Sequence, residues 1–198
     1  MKAKETAVVL IEFQNEFCKP GGKIYDAVKD EINRQHTIEN AKRLADGARK
    51  KGCLVIHSPF VFDEGWQSTH CGKGILANAK EGGAFRPNAW GTAIIDELKP
   101  APTDILLQGK RALSGFTNTN LADILKERGI KNVATAGFLT NVCVEATSRS
   151  AYDMGYNVII IKDATGATSR ANQEYVEREV APVLGSAMTV DEFLASLE

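Results

Sequence analysis

The chain has little of what marks most specialised protein classes. It has no excess of either charge: 24 lysines and arginines stand against 25 aspartates and glutamates, a formal net charge of −1. A surface so balanced offers no basic field to nucleic acid or to an anionic membrane, and neither is expected as a partner. No apolar stretch approaches the ~20 residues that a membrane span needs. The N-terminal segment Met1-Lys-Ala-Lys-Glu-Thr6 lacks the apolar core and cleavage pattern of a secretory signal, so a cytoplasmic location is expected. The four cysteines, at 18, 53, 71 and 143, show no Cys-x-x-Cys spacing, and a disulfide framework is not expected. Cys53 opens an apolar run and reads as core, whereas Cys18 and Cys71 read as loop residues. There is no repeat, low-complexity tract or linker, and a single domain spanning 1–198 is expected.

What is present is a regular alternation. Apolar, β-rich runs occur at Ala7–Phe13, Cys53–Ser58, Ile105–Gln108, Asn132–Ala136, Asn157–Ile161 and Ala187–Val190. Helical periodicity separates them: roughly Ile38 to Lys51, stopping at Gly52, then Leu121–Arg128, Cys143–Met154, Gln173–Val180 and Asp191–Leu197. Continuous apolar strands alternating with helices predict an α/β fold, a doubly wound and mainly parallel six-stranded sheet in a three-layer αβα arrangement. In such sheets ligands bind beyond the carboxyl ends of the strands. The segment from Pro59 to Gly91 breaks the rhythm with Phe60, Phe62, Trp66, Phe85 and Trp90 among several glycines. A connection this long serves as pocket wall, lid, subunit contact or a self-packed loop.

Three strand ends carry chemistry. Cys143 follows the fourth strand, where the chain turns into a helix. A helix N-terminus favours thiolate over thiol, although a lone cysteine is most often a small buried hydrophobe. Glu12 is an acid at the end of the first apolar run and must be paired or hydrogen-bonded there. Lys110 ends the third strand. Together they suit nucleophilic catalysis: the ammonium supports the sulfur and the carboxylate, while Glu12 takes and returns the proton. A buried ion pair of purely structural purpose is the alternative for Glu12 and Lys110.

Glu12-Phe-Gln14-Asn-Glu-Phe17, the segment Lys110-Arg-Ala-Leu-Ser-Gly-Phe116-Thr-Asn-Thr119 and the stretch from Gly137 to Thr147, which reads Gly-x-x-Thr-x-x-Cys-Val-x-x-Thr, resemble the three motifs of the isochorismatase-like cysteine hydrolases. That family includes nicotinamidases and N-carbamoylsarcosine amidohydrolases. The resemblance runs in order through nearly the whole chain. It implies a catalytic triad of Glu12, Lys110 and Cys143, and a cis peptide between Phe138 and Leu139. The implied oxyanion site is the backbone N–H groups of Leu139 and Cys143. It further implies a homo-oligomer, dimer or tetramer, and no cofactor. The family's acid is usually aspartate, so Glu12 carries one methylene more than the pattern, which shifts the carboxylate by about an ångström. Glu16 is the less suited substitute. The resemblance also implies that isochorismatases proper cleave a vinyl ether without needing the cysteine, so Cys143 points to attack on an amide or carbamoyl carbon of a small molecule.

Strand-end positions sketch a substrate pocket from Phe17, Phe60, Phe62, Trp66, Trp90, Phe116, Leu139 and Asn141, suited to a small, partly apolar group. Arg111 and Arg149 are candidates for a substrate carboxylate or for helix-surface positions. The metal site that nicotinamidases carry is not expected: His57, Asp63 and His70 lack its spacing, and His57 reads as a strand residue with a local hydrogen bond. His36 reads as solvated. Ether or ester hydrolysis led by Glu12 and Lys110, and an assembly module with a weak site, are the rival readings.

Overall fold

The computed structural model describes residues 1–65 and 72–198. The expectations at Trp66, His70 and Cys71 lie outside the described residues. Six strands form one parallel sheet: β1 Thr6–Ile11, β2 Leu54–Ser58, β3 Ile105–Leu106, β4 Asn132–Phe138, β5 Asn157–Gly166 and β6 Gly185–Met188, in the order β3-β2-β1-β4-β5-β6. Every residue of β1 and of β4 is buried. Side chains alternate between the two faces, as strand geometry requires. Val8 and Leu10 join one core, packed against the helices Tyr25–Gln35, Thr37–Lys51 and Val190–Ala195. Ala7, Val9 and Ile11 join the other, under Leu121–Glu127, Glu145–Asp153 and Ala181–Leu184. Helices on both faces of a parallel sheet make the three-layer doubly wound fold that the alternation predicts. Among the described residues no helix is long and apolar enough to cross a membrane.

The differences from the sequence reading have local causes. β1 ends at Ile11 because Glu12 turns into the left-handed region (φ 56°), although its N–H still donates to the Ser58 carbonyl at 3.1 Å. β6 begins two residues earlier than expected, because the preceding helical stretch runs on through Pro182 to Leu184. A widened turn over Val176–Val180, in which the Ala181 N–H reaches back to the Val176 carbonyl, leads into the proline. The helix Tyr25–Gln35 was not expected; it meets Thr37–Lys51 at the exposed His36, itself left-handed at φ 53°. Gly52 closes Thr37–Lys51 as a left-handed cap, as predicted. Cys18 is a core residue rather than a loop residue, buried at the end of the short helix Asn15–Cys18.

The topology prepares a crevice. The chain lays β2 and β3 on one side of β1 and then β4 on the other, so the strand order reverses between β1 and β4. Ligands settle at such switch points. Register puts Ile11 opposite both Ser58 and Gly137, so three strands end at one level. The approach of β4 is close enough that a Cβ on Gly137 would lie 1.9 Å from the Ile11 carbonyl oxygen, at a φ of +124° that side chains rarely adopt. Gly137→Ala is therefore expected to destabilise the fold by at least ~2 kcal/mol, read as a lowered denaturant midpoint. An unchanged midpoint would mean that the two strands do not meet there.

Candidate active site

The three candidate groups reach one point from three strand ends. Glu12 follows β1, Lys110 follows β3, and Cys143 lies in the wide turn Thr140–Val144 that carries β4 into the helix Glu145–Asp153. All are buried: Lys110 is 1% exposed, Glu12 2% and Cys143 5%. The Lys110 ammonium donates to the Glu12 carboxylate in a buried ion pair and to the Ala112 carbonyl at 2.9 Å. It also lies 5.0 Å from the centre of the Phe60 ring. The Cys143 sulfur lies near enough to this ion pair for the charges of Glu12 and Lys110 to act on it, and Cys143 and Glu12 line one cavity. Thr147 holds the turn: its hydroxyl donates to the Cys143 carbonyl at 2.7 Å and accepts the Gly115 N–H at 2.9 Å, tying it to the segment after Lys110. The peptide between Phe138 and Leu139 is cis.

Burial and proximity set the charges. Burial pushes the Cys143 thiol well above the usual cysteine range, the Glu12 carboxylate adds to that, and Lys110 offsets only part. Desolvation and the neighbouring carboxylate thus outweigh the lysine and oppose the pull towards thiolate that a helix N-terminus exerts, which leaves a base such as Glu12 to take the proton. Burial pulls the Lys110 ammonium down, but Glu12 and the Cys143 sulfur more than restore it, leaving its pKa above the ordinary lysine value. The extra methylene of Glu12 does not carry its carboxylate out of reach of Lys110.

The trio faces a cavity of about 330 Å³, to which Glu12 and Cys143 contribute directly. Its wall is aromatic and aliphatic. Phe17 stacks on Phe138 (ring centres 5.3 Å apart) and leans on Phe85 (5.6 Å), and Phe85 meets Phe60 edge-on (5.1 Å). Phe17, Phe60 and Leu139 line the cavity as the strand-end sketch has them. Four sketched residues do not. Phe62 is buried behind Phe60, 4.8 Å between ring centres. Trp90 is 57% exposed on a separate surface depression. Phe116 packs on the core of the opposite face. Asn141 is off the wall, with a buried side-chain oxygen that finds no partner. Proximity to a strand end fixes where the backbone is, not which way the side chain points. Neither arginine candidate lines the cavity: Arg149 pairs with Glu145 at 2.9 Å, and Arg111 is half-buried elsewhere.

The sequence reading missed Lys23, Ile24, Leu113, Val142 and Thr168 on the wall, and the helix Ile75–Glu81 that closes it with Leu76, Asn78 and Ala79. Two buried polar residues hold these pieces. Gln14 donates to the Phe60 and Thr92 carbonyls, both at 2.8 Å, and accepts the Phe60 N–H at 2.8 Å. Glu16 accepts the Lys23 N–H at 2.7 Å and the Phe85 N–H at 2.9 Å, a structural role rather than that of a spare acid. Both sit in the Glu12-to-Phe17 motif, whose spacing was the available signal.

Among the described residues no group of three or more histidine, cysteine, aspartate or glutamate side chains gathers to hold a metal. His57 Nε2 lies 2.9 Å from Asp104 Oδ2, and Asp104 also pairs with Arg49 at 2.7 Å and accepts the Ala101 N–H at 2.9 Å. Burial holds the His57 pKa below the ordinary histidine value despite Asp104. The unfolded chain therefore binds the proton more readily, so His57 contributes stability above pH ~6.5 that is lost as pH falls through the depressed pKa. The denaturant midpoint is expected to fall from pH 7 to pH 5, with a shallower fall in His57→Gln; parallel slopes would exclude this histidine as the cause.

Comparison with known proteins agrees with this geometry. The isochorismatase domain family matches residues 6–192. A ureidoacrylate amidohydrolase RutB of Rhizobium rhizogenes is 33% identical, over 100% of this chain and 85% of its own length. That of Agrobacterium fabrum is 36% identical, over 83% of this chain and 77% of its own. Among solved structures, a cysteine hydrolase from Pseudomonas syringae pv. phaseolicola superposes with a TM-score of 0.85 at 25% identity, covering 98% of this chain and 93% of that one. An N-carbamoylsarcosine amidase from Thermoplasma acidophilum shares the fold at a TM-score of 0.73 and 24% identity, covering 97% and 98%. The chain belongs to the isochorismatase family and is an isochorismatase-like hydrolase.

Proposed function

We propose that the protein hydrolyses a non-peptide C–N bond, amide or carbamoyl, of a small molecule through an acyl-enzyme on Cys143. The observation that carries this reading is that Cys143 and the buried Glu12–Lys110 ion pair come together at one largely apolar cavity, which Glu12 and Cys143 both line. The ureidoacrylate amidohydrolase relatives support the bond type.

A neutral thiol dictates the order of events. As Sγ closes on the substrate carbonyl carbon, Glu12 takes the thiol proton, so no free thiolate accumulates. Negative charge develops on the carbonyl oxygen, where the Leu139 and Cys143 N–H groups are the candidate donors. The C–N bond breaks, Glu12 returns the proton to the leaving amine, and a thioester remains. Water then attacks the thioester with Glu12 again as base, and the thiol is restored. Lys110 keeps its positive charge throughout and holds the carboxylate in line.

Cys143→Ala and Glu12→Gln are each expected to lower turnover of ureido or amide substrates by roughly a thousandfold or more, measured as ammonia release, while the wild type traps an acyl adduct on Cys143 detectable by mass. Full activity in Cys143→Ala would sink the thioester route and favour acid-led ether or ester cleavage. Glu12→Asp tests the longer acid. Aspartate tolerates a left-handed backbone well, so this variant is expected to fold and yet lose about tenfold or more in kcat, because the shorter side chain falls back from the thiol. Equal or higher kcat would show that glutamate confers nothing on proton transfer here. A homo-oligomer accompanies the proposal, checked by light scattering on the eluting peak.

A further inference from the structure

The turn that carries Cys143 has a second brace, built from a side chain that the steps above do not use. Gln173, in the helix Arg170–Tyr175, is completely buried. Its Oε1 accepts the Thr140 hydroxyl at 2.6 Å, and Thr140 is the first residue of the turn, directly after Leu139. Its Nε2 reaches three acceptors: the Lys162 carbonyl at 3.0 Å, the Thr165 hydroxyl at 3.1 Å and the Glu177 carboxylate at 2.9 Å. The Thr165 hydroxyl in turn donates to the Lys162 carbonyl at 3.1 Å. The amide therefore has one workable orientation, since a flip would set its oxygen against a carbonyl and a carboxylate.

Lys162 and Thr165 belong to β5 where it leaves the regular ladder. Thr135 pairs with Ile160 and Gly137 with Thr165, so Ala136 alone stands opposite the bulged segment 161–164. Irregularities of this kind re-aim the neighbouring chain and are common beside functional sites. Gln173 clasps bulge and turn together: one end of its amide holds β5 and the other holds Thr140. The Leu139 carbonyl is held from within the turn, by the N–H groups of Val142 at 3.0 Å and Val144 at 3.2 Å. The link from Leu139 to Thr140 is thus fixed from two directions. An apolar side chain could fill the same space, but only a bonded polar network specifies a single arrangement.

We infer that Gln173 is a positioning residue for hydrolysis: by holding Thr140 it aims the adjoining Leu139 N–H at the carbonyl oxygen of the substrate, so it acts on the rate of acyl transfer and not on substrate affinity. The inference rests on the C–N reading above and extends it to a residue outside the three motifs. An N–H aimed at an oxyanion stabilises charge that exists only in the transition state, so loosening its aim lowers kcat and leaves KM nearly untouched. A merely structural amide would support stability and leave the turnover of folded protein alone.

The test measures ammonia release from butyramide and propylurea by the wild type, Gln173→Met, Thr140→Val, Thr140→Ser and the double variant Gln173→Met with Thr140→Val, together with inhibition by butanal. The Cys143 thiol adds across the butanal carbonyl: sulfur bonds to carbon, and the thiol proton ends on the oxygen, which occupies the oxyanion position. In Gln173→Met and Thr140→Val kcat should fall about tenfold or more with KM within about twofold, and the inhibition constant of butanal should rise by a similar factor. The double variant should be no slower than the slower single one, because both changes cut the same link, and Thr140→Ser should keep most of the rate. An unchanged kcat in folded Gln173→Met, or losses that multiply in the double variant, overturns the role of Gln173 while leaving hydrolysis standing. Should Gln173→Met fail to fold, Thr140→Val decides alone, and a wild-type kcat there overturns the inference. Turnover of neither compound by the wild type counts against the C–N reading itself, and this inference falls with it.

Discussion

The site depends on an ion pair buried at the floor of the cavity. Lys110 and Glu12 are buried together, and their attraction must offset the desolvation of both, a balance that is close to neutral in most proteins. Removing either partner alone would strand a charge in the core, at a typical cost of about 3–5 kcal/mol. Such a pair is a poor device for stability and a good one for chemistry. In the mechanism proposed above it keeps a base charged and aligned near a sulfur. The surrounding sheet supplies the precision: three neighbouring strands stop at one level because Ile11, Ser58 and Gly137 share a register.

Around this pair the wall is built in pieces fastened by polar side chains that never face the solvent. Gln14 bonds to Phe60 and Thr92, and Glu16 to Lys23 and Phe85. Each satisfies several main-chain groups at once, so the irregular segments need no regular structure to stay in place. The motif that contains Glu12 therefore does two jobs. Its first acid works at the cavity floor, and its glutamine and second acid hold the walls that the substrate must touch.

Much of the frame was legible in the sequence because it rests on burial from both sides. Ala7–Phe13 is continuous because no residue in it meets water, Asn157–Ile161 is buried from Val158 onward, and the order of such runs with helices dictates a parallel sheet. Glu12 and Lys110 stood out as charged residues close after apolar runs and Cys143 as a cysteine at a strand-to-helix turn, while their grouping came from the motif resemblance. The wall was not. Phe62, Phe116, Trp90 and Asn141 are of the right chemical types in the right segments, yet their side chains turn elsewhere. Lys23 gave no signal, since a lysine after two glycines reads as ordinary surface loop; its place is set by a fold-back onto Glu16. The depth of burial that pushes the Cys143 thiol upward was equally hidden, because local spacing does not report it.

The protonated state of Cys143 has a bearing on durability. Peroxide and related oxidants attack the ionised form of sulfur and climb from there to sulfenic and irreversible sulfinic acids. On the thioester route proposed above, a nucleophile that gives up its proton only during attack on a bound carbonyl would spend the interval between turnovers in the form such oxidants touch least. Such a site would separate two properties that cysteine chemistry usually couples, readiness to react with a substrate and vulnerability to everything else.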